Sequence, residues 1–142
     1  MSVVIAFDFG LKRTGVAVGN LLTASASPEC TLYSKDNSPN WDAITKLINE
    51  WKPSQLVVGM PTELDGTESP LKKAVDRFCN QLRGRYNLKV DTENEQFTSI
   101  EAAQRLKQLR QSGRKQKVAK DEVDKIAAAI ILESWMQKNA KK

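Results

Sequence analysis

The chain has 142 residues, 40% of them hydrophobic and 27% charged, which suits one globular domain with a single substantial core. Its 22 lysines and arginines against 17 acids leave a net charge of +5, a balance that favours polyanionic partners. No histidine occurs, which excludes Ser-His-Asp and Cys-His catalysis and every histidine-ligated metal centre, and Cys30 and Cys79, far apart and without a CxxC or a nearby histidine, do not predict a zinc site.

Residues 3–7 form an apolar run rich in β-branched side chains and predict a central strand covered on both faces. Asp8 ends the run. A carboxylate beside so much apolar surface needs a cation or donors to compensate it, although Asp before Phe9-Gly10 also suits a turn. Lys12-Arg13 and Thr14-Gly15 lead into a second apolar stretch at 16–18, so the opening reads as a hairpin with an acid at its mouth. Residues 21–33 hold a third strand, and 34–40 a polar link.

Ser38, Pro39 and Asn40 mark a helix start, with a capping side chain and a proline in the first turn. Trp41, Ile44, Leu47, Ile48 and Trp51 then recur at helical spacing, both tryptophans reading as core, until Pro53 closes the segment. Residues 55–59 are a short buried strand and Asp65-Gly66 a turn. From Ser69-Pro70 a second helix carries Leu71, Ala74, Val75, Phe78 and Leu82 in one stripe, with Cys79 as a small buried hydrophobe and Gly84 as the stop. Leu88 and Val90 belong to a fifth strand.

Thr98 and Glu101 match a capping box that opens a helix with Ile100, Ala103, Leu106 and Leu109 facing inward, ended by Gly113. Residues 110–120 have almost nothing to bury and predict a basic loop. The last helix begins near Lys120-Asp121, presents Val123, Ile126, Ala127, Ile130 and Ile131 on a broad apolar face, and gives way to a frayed tail at 139–142, so the domain spans 1–138. Strands joined through helices run parallel while the opening hairpin is antiparallel. An α/β fold follows, with a mixed five-stranded sheet and helices on both faces. No apolar run approaches the ~20 residues of a membrane span, and no cationic segment precedes the first strand, so a cytoplasmic protein without membrane contact is expected.

Three acids carry the chemistry: Asp8 at the end of the first strand, Glu95 beyond the fifth, and Asp124 in the first turns of the last helix. Parallel strands bring their carboxyl ends to one sheet edge, and the acids meet there if the last helix starts at that edge. Converging carboxylates repel unless they share a cation, and oxygen ligands without His or Cys select Mg²⁺ or Mn²⁺. Two such ions about 4 Å apart activate water and stabilise the leaving oxygen of a phosphodiester without histidine. Asp121 shares the helix face of Asp124 and is placed to join them, unless it serves the helix dipole; Glu95 has a cap or a solvated position as its alternative. Lys12, Arg13, Arg110, Arg114, Lys115, Lys117 and Lys120 are candidate phosphate contacts, the loop members alternatively a solvated linker.

The stretches FDFGLKRTGVAVG, VVGMPTELDGTESP, NEQFTSIEA and VDKIAAAIIL resemble, in order and spacing, the YqgF/RuvX family, and the resemblance covers nearly the whole chain. It implies a ribonuclease H-like fold and a nuclease similar to Holliday-junction resolvases, linked to trimming the precursor of small-subunit ribosomal RNA. The family's acids map onto Asp8, Glu95 and Asp124, whereas Asp121 is not a position where it regularly has one. The family shows Asp-Glu-Arg where this chain has Asn94-Glu95-Gln96, so an acid and a cation are lost together and the local net charge is kept. The expected partners are precursor rRNA or branched DNA and ribosomal particles, with the chain a monomer or weak homodimer. A non-catalytic RNA- or ribosome-binding protein on the same fold is the competing reading. An actin-like phosphotransferase, which Asp8-Phe9-Gly10 also resembles, needs two such domains, and 142 residues supply one.

Overall fold

A computed structural model gives the structure of the protein and describes residues 3–36, 38–60, 71–94 and 120–140. Strands β1 (Val3–Asp8), β2 (Arg13–Asn20) and β3 (Ser25–Tyr33) come first. Helix α1 (Trp41–Trp51), β4 (Gln55–Met60), α2 (Lys72–Tyr86), β5 (Lys89–Asn94) and α3 (Lys120–Ala140) follow. The strands form one sheet in the order β3-β2-β1-β4-β5. β1 and β2 pair antiparallel, as do β2 and β3, while β4 runs parallel to both β1 and β5. The predicted mixed sheet is present, and the two shorter apolar stretches of the hairpin extend into full strands because each pairs along its length.

Alternation along the strands divides the core in two. Ile5, Phe7, Val16, Leu56 and Val58 turn to the side covered by α1 and α2, where they meet Ile44, Leu47, Val75, Phe78 and Leu82. Val4, Ala6, Ala17 and Val57 turn to the other side and pack against Ala128, Ala129, Ile131, Leu132, Trp135 and Met136 of α3. Helices therefore cover both faces. At about 25 cal/mol per Å² of apolar surface, each fully buried Val, Ile, Leu or Phe stabilises the fold by roughly 1.5–3 kcal/mol.

Local chemistry departs from the sequence expectations at several ends. Asn40 caps α1, accepting from the Ala43 N–H at 3.3 Å, and Pro39 stands before the cap instead of in the first turn. Trp51 is not core: it is 36% exposed at the helix end, its indole donating to Glu29 Oε2 at 3.2 Å. Trp41 does pack inward, against Phe78 and Tyr86, with the Arg85 guanidinium 4.1 Å from its ring centroid. Gly84 does not stop α2. It sits on an open surface with room for the helix to continue, and the left-handed cap falls to Asn87, at φ 53°, whose N–H bonds the Arg83 carbonyl. α3 runs to Ala140, two residues into the stretch expected to fray. Its apolar residues also split: Ile131 joins the sheet-facing core, while Ile126, Ala127 and Ile130 form a separate cluster. The Asp65-Gly66 turn, the helix from Thr98 and most of the basic loop lie outside the described residues.

Candidate active site

β1 delivers Asp8 to the carboxyl edge of the sheet. Val4 and Ala6 face α3, so alternation assigns Asp8 to the same face, beyond the last apolar contact. Opposite Asp8 in the antiparallel pair stands Gly15, with Cα atoms of such pairs about 4.5–5.5 Å apart. Gly15 in turn lies hard against the backbone of Asp124. A Cβ there would overlap the Asp124 carbonyl and stand 2.9 Å from the Lys125 amide nitrogen. The first turns of α3 thus seat on the hairpin because position 15 has no side chain, and the backbone of Asp124 comes up against the β2 partner of Asp8.

Asp124 is partly buried and ion-paired: Arg13 Nε donates to its Oδ2 at 2.7 Å, the two side chains being 32% and 23% exposed. Arg13, expected to face phosphates, is thereby found on one of the candidate metal ligands. Lys12, beside it in the turn, is exposed, as is Leu11. Asp121 stands one turn before Asp124 on α3. Lys120 is the first residue of that helix. Glu95, Arg110, Arg114, Lys115 and Lys117 lie outside the described residues; Glu95 directly follows Asn94, the end of β5.

The neighbouring acids of β5 serve another purpose. Glu93, 5% exposed, accepts from Ser134 Oγ at 2.6 Å and pairs with Lys138 Nζ at 2.8 Å, and Asp91 accepts from Trp135 Nε1 at 3.1 Å. These bonds reach α3 some ten residues beyond Asp124, about 15 Å along its axis. They hold the helix across the sheet. Sequence reasoning missed them, and it missed Gly15; the signal for the latter is the period-2 series Gly15, Ala17, Gly19, whose small side chains all face α3.

No three of His, Cys, Asp or Glu stand together as a metal cluster among the described residues. Asp8 and Asp124 supply two carboxylates, and Mg²⁺ is commonly held by one or two carboxylates together with waters and substrate phosphates. The all-oxygen donor set fits such an ion. A groove of about 400 Å³ lined by Ala24, Ser25, Ala26, Glu133, Met136 and Gln137 sits toward the opposite end of α3, with one acid, and is no rival for this chemistry. Among the described residues no helix is long and apolar enough to cross a membrane.

A family model described as RuvX: Holliday junction resolvase matches residues 2–138. A protein of Shewanella denitrificans named as a candidate pre-16S rRNA nuclease is 43% identical over 134 residues, 94% of this chain and 93% of the relative. A Hydrogenovibrio crunogenus protein of the same name is 46% identical over 134 residues, covering 94% and 92%. Among solved structures, Thermus thermophilus RuvC in complex with a Holliday junction substrate aligns with a TM-score of 0.61 at 13% identity, over 100% of this chain and 98% of that one. The Fowlpox virus resolvase with its Holliday junction DNA gives 0.57 at 17%, over 96% and 98%. At these identities the structural likeness shows the fold, which is ribonuclease H-like.

Proposed function

The chain belongs to the RuvX family of Holliday junction resolvases, and from that premise we propose that it is a metal-dependent nuclease that trims the ends of precursor 16S rRNA in the cytoplasm. The relatives' names direct the choice of substrate. What supports the reading within this chain is that the Asp124 backbone lies against Gly15, the β2 partner of Asp8, at the carboxyl edge of the sheet. Asp8, Glu95 and Asp124 would hold Mg²⁺ or Mn²⁺, with Asp121 in support. Such ions supply an activated water and stabilise the leaving oxygen of a phosphodiester. The absence of histidine leaves carboxylates and cations to do this work. Lys12, with Arg110, Arg114, Lys115, Lys117 and Lys120, would hold the phosphates of a structured strand so that one diester is presented to the acids. Ribosomal particles and branched DNA belong to the same range of partners, met by a monomer or weak homodimer.

Asp8→Asn keeps the shape of the side chain and removes its charge. With Mg²⁺ or Mn²⁺ supplied, the variant is expected to lose cleavage of precursor rRNA by at least about 100-fold while its thermal unfolding stays near that of the parent. A panel of precursor rRNA, four-way junctions and single strands, each with and without metal, separates the possibilities. Undiminished cleavage by the variant removes the assignment. Salt-sensitive binding without cleavage of any substrate by the parent makes the protein a nucleic-acid-binding member of the fold.

A further inference from the structure

The Arg13–Asp124 pair joins residues 111 positions apart, at the one place where a divalent cation is expected to bind. A guanidinium stays charged at any physiological pH and matches carboxylate and phosphate geometry alike. A divalent cation on Asp124 Oδ2 would have to stand beside that positive charge, so ion and arginine compete for one carboxylate. Arg13 opens β2 directly after exposed Lys12, five residues from Asp8, and so stands at the mouth of the hairpin.

We infer that Arg13 is an internal counter-cation that occupies Asp124 in the free protein and transfers to a phosphate when nucleic acid binds, releasing the carboxylate to the divalent ion. The inference rests on the active-site reading above and deepens it: binding of nucleic acid and of metal become coupled, and the metal-loaded site is favoured on a substrate. Coupling of this kind is reciprocal, so metal strengthens nucleic-acid binding by the same factor. Arg13 is a positioning residue in this scheme, acting through the carboxylate it holds.

Mn²⁺ titration followed by calorimetry on the full chain tests it, with and without a phosphorothioate RNA hairpin and after subtraction of the hairpin's own Mn²⁺ binding. For the parent, the hairpin is expected to tighten Mn²⁺ binding by about tenfold, the size of an ordinary coupling. Arg13→Gln is expected to bind Mn²⁺ about tenfold more tightly than the parent without RNA, and to gain little when RNA is added. Asp124→Asn is expected to abolish both effects. An Arg13→Gln protein that binds Mn²⁺ equally or more weakly overturns the inference, leaving Arg13 a fixed tie between hairpin and helix. Should that variant fail to fold, absence of coupling in the parent overturns it equally. If the parent binds no Mn²⁺ at all, and Asp8→Asn changes nothing, it is the active-site reading that fails, and the two failures are told apart.

Discussion

A side chain that is missing sets how near α3 comes to β1. Any Cβ at position 15 would push the Asp124 carbonyl away from the strand that carries Asp8, so Gly15→Ala is expected to act on the site before it acts on the fold. A shift of about 1 Å in a reacting group costs on the order of 100-fold in rate. Cleavage by Gly15→Ala should fall by that order while circular dichroism remains that of the parent; full activity would show that the helix end has slack. A second residue-scale expectation concerns Cys79, buried on α2, where desolvation pushes the thiol from 9.0 to about 11 despite the opposing Arg83 charge. Above pH 9 the unfolded chain releases this proton and the folded chain keeps it, so stability falls as pH rises until the folded thiol also ionises near 11. At pH 10 the loss is about 1 kcal/mol, and urea unfolding of Cys79→Ala should lack that alkaline slope relative to its own value at pH 8. Of these features the sequence exposes the carboxylate of Asp8, because an acid ending an apolar run is locally anomalous. It conceals the partner of Arg13, because an ion pair across 111 residues leaves no local trace.

On the scale of elements, the strands and the first two helices were readable because their stabilisation is local in pattern: apolar runs for β1 and β4, a 3.6-residue stripe for α1 and α2. α3 was readable as a helix but its docking was not. What seats it is the small-residue face of β2, where a Cβ on Gly19 would meet Leu132 and Met136 as one on Gly15 meets Asp124, together with the acids of β5. Both are properties of pairs of elements. Likewise Asn87, three residues past Gly84, took the cap because nothing obstructs a helix at an exposed glycine. The β5 anchor can be weighed. Glu93→Ala leaves Ser134 without its acceptor and Lys138 without its counter-charge, and should destabilise the fold by roughly 1–3 kcal/mol in chemical unfolding. Lys138→Ala removes only the partner that is 63% exposed and should cost less than about 1 kcal/mol. Equal losses from the two variants would mean that the ion pair, and not the buried acceptor, holds the helix.

For the whole molecule, the sheet separates two surfaces that carry positive charge for different reasons. The α3 side holds Asp8 and Asp124 at its edge, with Lys12 at the hairpin turn; the cations of residues 110–120 precede the body of α3 in the sequence. The opposite side is covered by α2, whose Lys73 and Arg77 are exposed and whose other arginines are engaged at home: Arg83 donates to the Val90 carbonyl at 3.0 Å, and Arg85 lies on Trp41. Every phosphate neutralised by the protein releases counterions, and the logarithm of the binding constant then falls with the logarithm of salt by about 0.7–0.9 per contact. Replacing Arg110, Arg114, Lys115 and Lys117 together by glutamine should therefore flatten the salt dependence of RNA binding by about 3 in that slope. Replacing Lys73 and Arg77 removes two positive charges from the far side of the sheet and should leave the slope nearly unchanged, because screened charges beyond about 10 Å contribute little at ordinary ionic strength. Filter binding of a precursor rRNA fragment between 50 and 300 mM salt, roughly spanning those conditions, measures both slopes. If the α2 variant flattens the curve as much as the loop variant, the strand wraps both faces of the sheet, and the edge at Asp8 is only one part of a larger path.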